Sequence, residues 1–228
     1  MNLGAIMQRT VVVISAGLGV PSSTRMLADQ ISADVQQRLS AAGADPIIDV
    51  IDLRDYATDI ANNMVSGYAG PALAEVIKRV EAADAMIAVT PTFSASYSGL
   101  FKSFFDVLDP KFLDGMPVVF GATGGSSRHS LVLDMAIRPL FSYLRAHTMP
   151  TAIYASPEDW GGSGTNTLER RIGQAAAELT TVLMGQQGSA TGASGAVLID
   201  HKAKRAQREV SDMTSLPFAE LLAQTQRR

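Results

Sequence analysis

"VVVISAGLGVPSSTRMLADQI", residues 11–31, decides the fold. Val11 to Ile14 form the short, continuous apolar run of a strand covered on both faces. The run enters a loop of small residues, and a helical apolar spacing then begins with Met26, Leu27, Ile31, Val35 and Leu39. A chain leaves a buried strand through side chains this small where something must come close to the backbone, often a phosphate. The loop is neither of two well-known phosphate loops: no Gly-Lys-Ser/Thr closes it, and its glycines do not fall as G-x-G-x-x-G. It does offer the hydroxyls of Ser15, Ser22, Ser23 and Thr24 beside the free amides of a helix N-terminus, which suits an anion. Simple capping of the helix by Ser22 or Ser23 accounts for the same residues.

Outward from this stretch the pattern repeats. The helix reads from Ser22 to Ala42, with Gly43 as its stop, and "PIIDVIDL" (46–53) is a second strand. Pro71 opens a helix with Leu73, Val76, Ile77 and Val80 on one side. "AMIAVTPTF" (85–93) is a third strand, and "GLFKSFFDVLD" (99–109) a helix striped by Phe101, Phe104, Phe105 and Leu108. "MPVVFGATGG" (116–125) is a fourth strand, followed by a helix over 131–147 that Pro139 kinks or displaces. "PTAIYAS" (150–156) is a fifth strand and Asn166 to Met184 a last helix. Strands and helices alternating through five cycles predict an α/β fold, a parallel five-stranded sheet with helices on both faces. The domain spans 1–184. From 185 to 228 the chain reads as a linker, "GQQGSATGASG", and a tail that is either disordered or docks on a neighbouring subunit through the short apolar face of Leu216, Phe218, Leu221 and Leu222.

Composition narrows the function. A chain of 228 residues with 46% hydrophobic residues can bury a substantial core. A net charge of −3 argues against general nucleic-acid binding. The absence of cysteine excludes disulfides and thiolate metal sites and fits a reducing compartment. No segment approaches the run of about 18 apolar residues that a membrane span needs. The N-terminus lacks the basic region and apolar run of a secretory signal. A soluble, cytoplasmic protein is expected. His129, His147 and His201 are scattered without carboxylates at ligand spacing, so no metal site is expected.

In an open parallel sheet, ligands sit beyond the carboxyl ends of the strands. Two further loops meet the first at that edge. "TPTFSASYSGLFKSFFD" joins Pro91, Thr92, Phe93, Ser94 and Tyr97 into an aromatic wall with exposed amides, suited to a flat heteroaromatic ring or simply to covering the sheet end. "GATGGSSRHS" sets Thr123, Gly124, Gly125 and Ser126 where glycines permit close approach and amides donate, or it is a flexible connection.

The serine-rich first loop, the stretch "TPTFSASYSGLFKSFFDVLD" and "GATGGSSRHS" together resemble the NADPH-dependent FMN reductases of the flavodoxin-like superfamily. The middle stretch looks like that family's P-x-Y/F…S-x-x-x-K-x-x-x-D pattern, matched by Pro91, Phe93, Ser98, Gly99, Leu100, Lys102 and Asp106. The likeness covers roughly residues 10 to 180. It is nearest the subset with a C-terminal extension that accompanies flavin-dependent monooxygenases. It departs in one respect: many members carry an arginine within the first loop, whereas here Arg25 follows the serines.

The resemblance implies a flavodoxin-like three-layer sandwich and an oxidoreductase using FMN with NADPH or NADH. It implies a homodimer or homotetramer, with a monooxygenase as possible partner. Ser15, Ser22, Ser23 and Thr24 would hold the FMN phosphate, and Pro91, Thr92, Phe93 and Ser94 would line the isoalloxazine, with Thr123, Gly124, Gly125 and Ser126 at its other edge. No acid–base dyad is visible or required, so no catalytic side chain is expected. Lys102 and Asp106 read as an intrahelical pair. A quinone or azo-dye reductase on the same fold, and a flavodoxin-type electron carrier without nicotinamide activity, remain as alternatives.

Overall fold

The computed structural model describes residues 7–160 and 167–185, and in it the first strand divides its side chains between two cores. Side chains alternate across a strand. Along β1 (Met7–Ser15), Val11 and Val13 therefore pack with Leu27, Ile31, Val35 and Leu39 of α1 (Ser23–Ala41) and with Ala176 and Leu179 of α6 (Thr167–Gly185). Val12 and Ile14 face the opposite core, with Leu73 and Val76 of α3 (Pro71–Ala82), Phe101 and Phe104 of α4 (Gly99–Asp106) and Phe141 of α5 (Arg138–Tyr143). The helices thus form two layers with the sheet between them, the expected sandwich.

The remaining strands are β2 (Ala44–Asp52), β3 (Ala85–Phe93), β4 (Ser96–Tyr97), β5 (Pro117–Thr123), β6 (His147–Thr148) and β7 (Ile153–Ala155). The order is β2-β1-β3-β5, with β6 and β7 both pairing with β5. All of these pairings are parallel, and the fifth place in the sheet is shared by two short pieces. The break falls at Pro150, which has no N–H for the ladder. Arg138 fills the gap: its guanidinium donates to the carbonyls of Met149 at 3.2 Å and Pro150 at 3.1 Å, and stands over the Phe120 ring.

Strand order reverses between β1 and β3, which is where such sheets bind ligands. Apolar burial sets the frame around that point. Phe101, Phe104, Phe120 and Phe141 are fully buried, and each contributes about 1.5–3 kcal/mol by leaving water.

The helices differ from the sequence reading in two places, and His147, read as the end of a helix, is in β6. A helix, α2 (Ala57–Ser66), follows a 3-10 turn over Leu53–Tyr56; of its residues only Ile60 is buried. The disturbance near Pro139 is a π turn over Leu133–Ile137, placed directly before α5. Proline removes a donor from the helical ladder, and a wider turn ahead of it absorbs the mismatch. The linker and tail beyond Gly185, including the apolar stretch at 215–224, lie outside the described residues.

Candidate functional site

β1, β3 and β5 end on one edge, with Ser15 beside Val89 and Pro91 beside Thr123. The three loops expected to converge there do so. Thr24, in the first turn of α1, and Thr123, at the end of β5, share a hydrogen bond of 2.8 Å between hydroxyls that are both buried. The first and third loops are therefore joined directly.

In the first loop Ser22 caps α1, its Oγ accepting from the N–H of Arg25 at 3.2 Å. The capping reading holds for Ser22. Ser23, the first helical residue, is exposed. The first turn of α1 holds no acidic side chain, so nothing there offsets the positive end of the helix dipole. Ser15 is fully buried, and its Oγ meets no hydrogen-bond partner among the described residues. A buried hydroxyl left unpaired costs about 1–3 kcal/mol, so its persistence is a feature to explain. Gly17 lies so close to Ser22 that a Cβ on it would sit 2.0 Å from the Ser22 Oγ. Backbone alone can pass there.

Beside the first loop opens a cleft of about 310 Å³, lined by Gly17, Gly19, Val20, Pro21 and Ser22 and by Arg25, Met26, Asp52 and Arg54. Arg25 donates to Asp29 at 2.8 Å and to Asp52 at 2.9 Å. Its pKa is raised, chiefly by the Asp29 hydrogen bond; burial opposes this and Asp52 adds to it. Its charge is committed to carboxylates. Of the expected phosphate residues, only Ser22 lines this cleft.

The second loop is a hairpin rather than an open loop. β4 pairs antiparallel with the end of β3, setting Thr92 opposite Tyr97 and Phe93 opposite Ser96. The turn is Ser94-Ala95, both at positive φ, 49° and 66°. Neither is glycine, and strain of about 1–3 kcal/mol per residue persists in such places when the surroundings impose it. The hairpin leaves Phe93 48% exposed. Thr92 Oγ1 is a second buried hydroxyl without a partner among the described residues. Pro91 is buried at the strand end and Ser94 exposed at the turn. Ser98 caps α4, accepting from Phe101 N–H at 3.2 Å, and its own N–H donates to Thr90 Oγ1 at 3.0 Å. Lys102 and Asp106 form the expected intrahelical ion pair.

The third loop leaves β5 through Gly124 and Gly125. Gly124 N–H donates to the Ala155 carbonyl at 3.1 Å, and Ser126 Oγ accepts from Arg128 N–H at 3.3 Å. Gly125 is exposed, and Gly124 and Ser126 are half-buried. His129 is exposed on a short 3-10 turn, and Trp160 packs on the α1–α6 core at the sheet edge. Tyr154 on β7 was not among the sequence candidates, yet its hydroxyl donates to the Ser126 carbonyl at 2.8 Å. A tyrosine inside an otherwise apolar strand was the available signal.

Comparisons with known proteins show the family. Residues 9–161 match the NADPH-dependent FMN reductase family. The chain is 38% identical over 150 residues to the NADH-dependent FMN reductase SfnF of Pseudomonas putida, covering 65% of this chain and 77% of that one. It is 37% identical over 150 residues to an FMN reductase (NADPH) of Pseudomonas aeruginosa, covering 66% and 78%. Among solved structures, an oxidoreductase of Corynebacterium diphtheriae superimposes with a TM-score of 0.76 at 45% identity, over 78% of this chain and 98% of that one.

Proposed function

The chain belongs to the NADPH-dependent FMN reductase family and is an oxidoreductase that uses FMN with NADPH or NADH; from that premise we propose how its own residues hold the flavin. Ser15 and the first turn of α1, with Ser22, Ser23 and Thr24, bind the phosphate. Pro91, Thr92, Phe93 and Ser94 line the ring, and Thr123, Gly124, Gly125 and Ser126 meet its other edge. The observation that carries this assignment is a pair of buried, unpartnered hydroxyls, Ser15 Oγ and Thr92 Oγ1, near the ends of adjacent strands. Groups of that kind are retained where a ligand satisfies them. The cradle at Gly17 and the dipole of α1 fit a phosphate, and the exposed face of Phe93 fits an aromatic ring.

When bound, FMN and a nicotinamide would supply the chemistry, hydride transfer. The chain supplies placement. The hairpin and the third loop would hold the flavin, and Phe93 would shield one side of it from water. No side chain transfers a proton in this scheme, so none is assigned a catalytic role.

The reading extends to partners. Reduced flavin passes to a flavin-dependent monooxygenase, as the likeness of the motifs to that subset of reductases supports. The protein works as a homodimer or homotetramer in the cytoplasm. Exposed Leu131, Met135 and Tyr143, close together in the chain, support a subunit interface, and no helix among the described residues is long and apolar enough to cross a membrane.

Steady-state oxidation of NADPH and NADH, measured with FMN, with a quinone and with no acceptor, tests the core of this reading. The expected result is turnover that requires FMN and saturates with it. Flavin binding without nicotinamide oxidation would establish an electron carrier instead.

A further inference from the structure

Tyr154 stands between the third loop and the sheet with little freedom. It is 3% exposed, and its hydroxyl donates to the Ser126 carbonyl at 2.8 Å. A Cβ on Gly124 would lie 2.1 Å from that same oxygen and 3.5 Å from Thr92 Cβ, so Gly124 is threaded between Tyr154 and β3. Gly124 is also held by its N–H to Ala155. Both ends of Gly124–Ser126 are thus fastened to β7. In a trans peptide the C=O and the next N–H point in opposite directions. With the Ser126 carbonyl turned onto Tyr154, the N–H of Ser127 is turned away from it.

We propose that Tyr154 is a positioning residue of the flavin site, its phenol fixing the backbone of Gly124–Ser127 so that the amides of that loop meet the edge of the flavin ring. This rests on the reading that the third loop borders the ring. Burial raises the pKa of Tyr154, so the phenol stays protonated and able to donate; the nearby Thr92 hydroxyl opposes that rise without meeting hydrogen-bond geometry.

The test is Tyr154→Phe, which removes one oxygen and keeps the ring that fills the core. Dissociation constants of FMN and riboflavin are measured by quenching of flavin fluorescence, with the visible absorption bands of the bound flavin. Both constants are expected to rise about fivefold to tenfold and by the same factor, because the lesion touches the ring and not the phosphate. The bands are expected to shift toward those of free flavin. A second variant, Gly124→Ala, sets a methyl group against the phenolic oxygen and is expected to produce the same ring-directed loss. Since Tyr154→Phe removes the crowded atom, the double variant is expected to bind no worse than Gly124→Ala alone.

Wild-type constants and spectrum in Tyr154→Phe would overturn the proposal. So would a loss confined to FMN, or losses that multiply in the double variant. Wild-type protein that binds neither flavin would overturn the site reading itself and this proposal with it, an outcome distinct from a normal wild type beside an unaffected variant.

Discussion

Thr24 Oγ1 and Thr123 Oγ1 lie 2.8 Å apart, joining the start of α1 to the end of β5 across 99 residues of chain. The two hydroxyls are 2% and 4% exposed by residue, so each is the other's replacement for water. The start of α1 and the end of β5 are thereby tied into one unit.

This pair predicts non-additive stability. Thr24→Val or Thr123→Val alone leaves the other hydroxyl buried and unpaired, at a cost of about 1–3 kcal/mol. The double variant removes both and is expected to lose clearly less than the sum. Urea unfolding of the four proteins measures the coupling, and simple additivity would show that the contact contributes nothing.

Ser15 predicts effects of opposite sign. Its Oγ is buried without a partner, so Ser15→Ala is expected to leave the apoprotein as stable as wild type or more stable by about 1 kcal/mol. The same change is expected to weaken FMN by about tenfold to a hundredfold while leaving riboflavin nearly unaffected, as loss of a hydrogen bond to a charged phosphate would. Thermal unfolding of the apoprotein and flavin titration of both ligands check the two halves. Equal weakening of both flavins would move Ser15 away from the phosphate.

Much of this site is legible in the chain because strands and their exits announce themselves. The run from Ala85 to Phe93 reads as a strand and is one, bounded at the same residues. The serines and glycines after β1 and β5 mark the loops that meet, since small residues concentrate where backbone must come close. What stays hidden depends on partners remote in sequence. Nothing in Thr24 or Thr123 announces a bond to the other, and Tyr154 looks like one more strand aromatic until Ser126 is seen against it. The hairpin at Ser94-Ala95 escapes reading because neither residue belongs to the usual positive-φ set. Helix α2 escapes although it has apolar residues at helical spacing: only Ile60 of it is buried, and Met64 and Val65 are exposed.

Strain at that hairpin predicts a stabilising change. Ala95 sits at φ 66°, where a Cβ is disfavoured by roughly 1–2 kcal/mol and glycine is at ease. Part of that gain is lost to the greater freedom of glycine in the unfolded chain, about 0.4–1 kcal/mol. Ala95→Gly is therefore expected to raise stability by about 0.5–1 kcal/mol, read as a higher urea midpoint with unchanged slope. A lower midpoint would mean that the Ala95 methyl makes contacts worth more than the strain.

Tyr154 predicts where alkaline stability is lost. Burial raises its pKa above the ordinary tyrosine value of 10.0. An acid whose folded-state pKa is raised keeps its proton longer when folded than when unfolded. At pH values above 10 the unfolded chain sheds that proton first, the native state binds more protons, and stability falls as pH rises. The stabilising contribution of the neutral phenol is thus complete below about pH 10 and disappears as the pH climbs through the folded-state pKa. The difference between wild type and Tyr154→Phe isolates this loss, because every other group is common to both. Urea midpoints measured at intervals from pH 8 to above pH 11 are expected to run parallel up to about pH 10 and then converge, as wild type loses what the variant never had. Profiles that stay parallel throughout would show that the Tyr154 proton is not linked to folding.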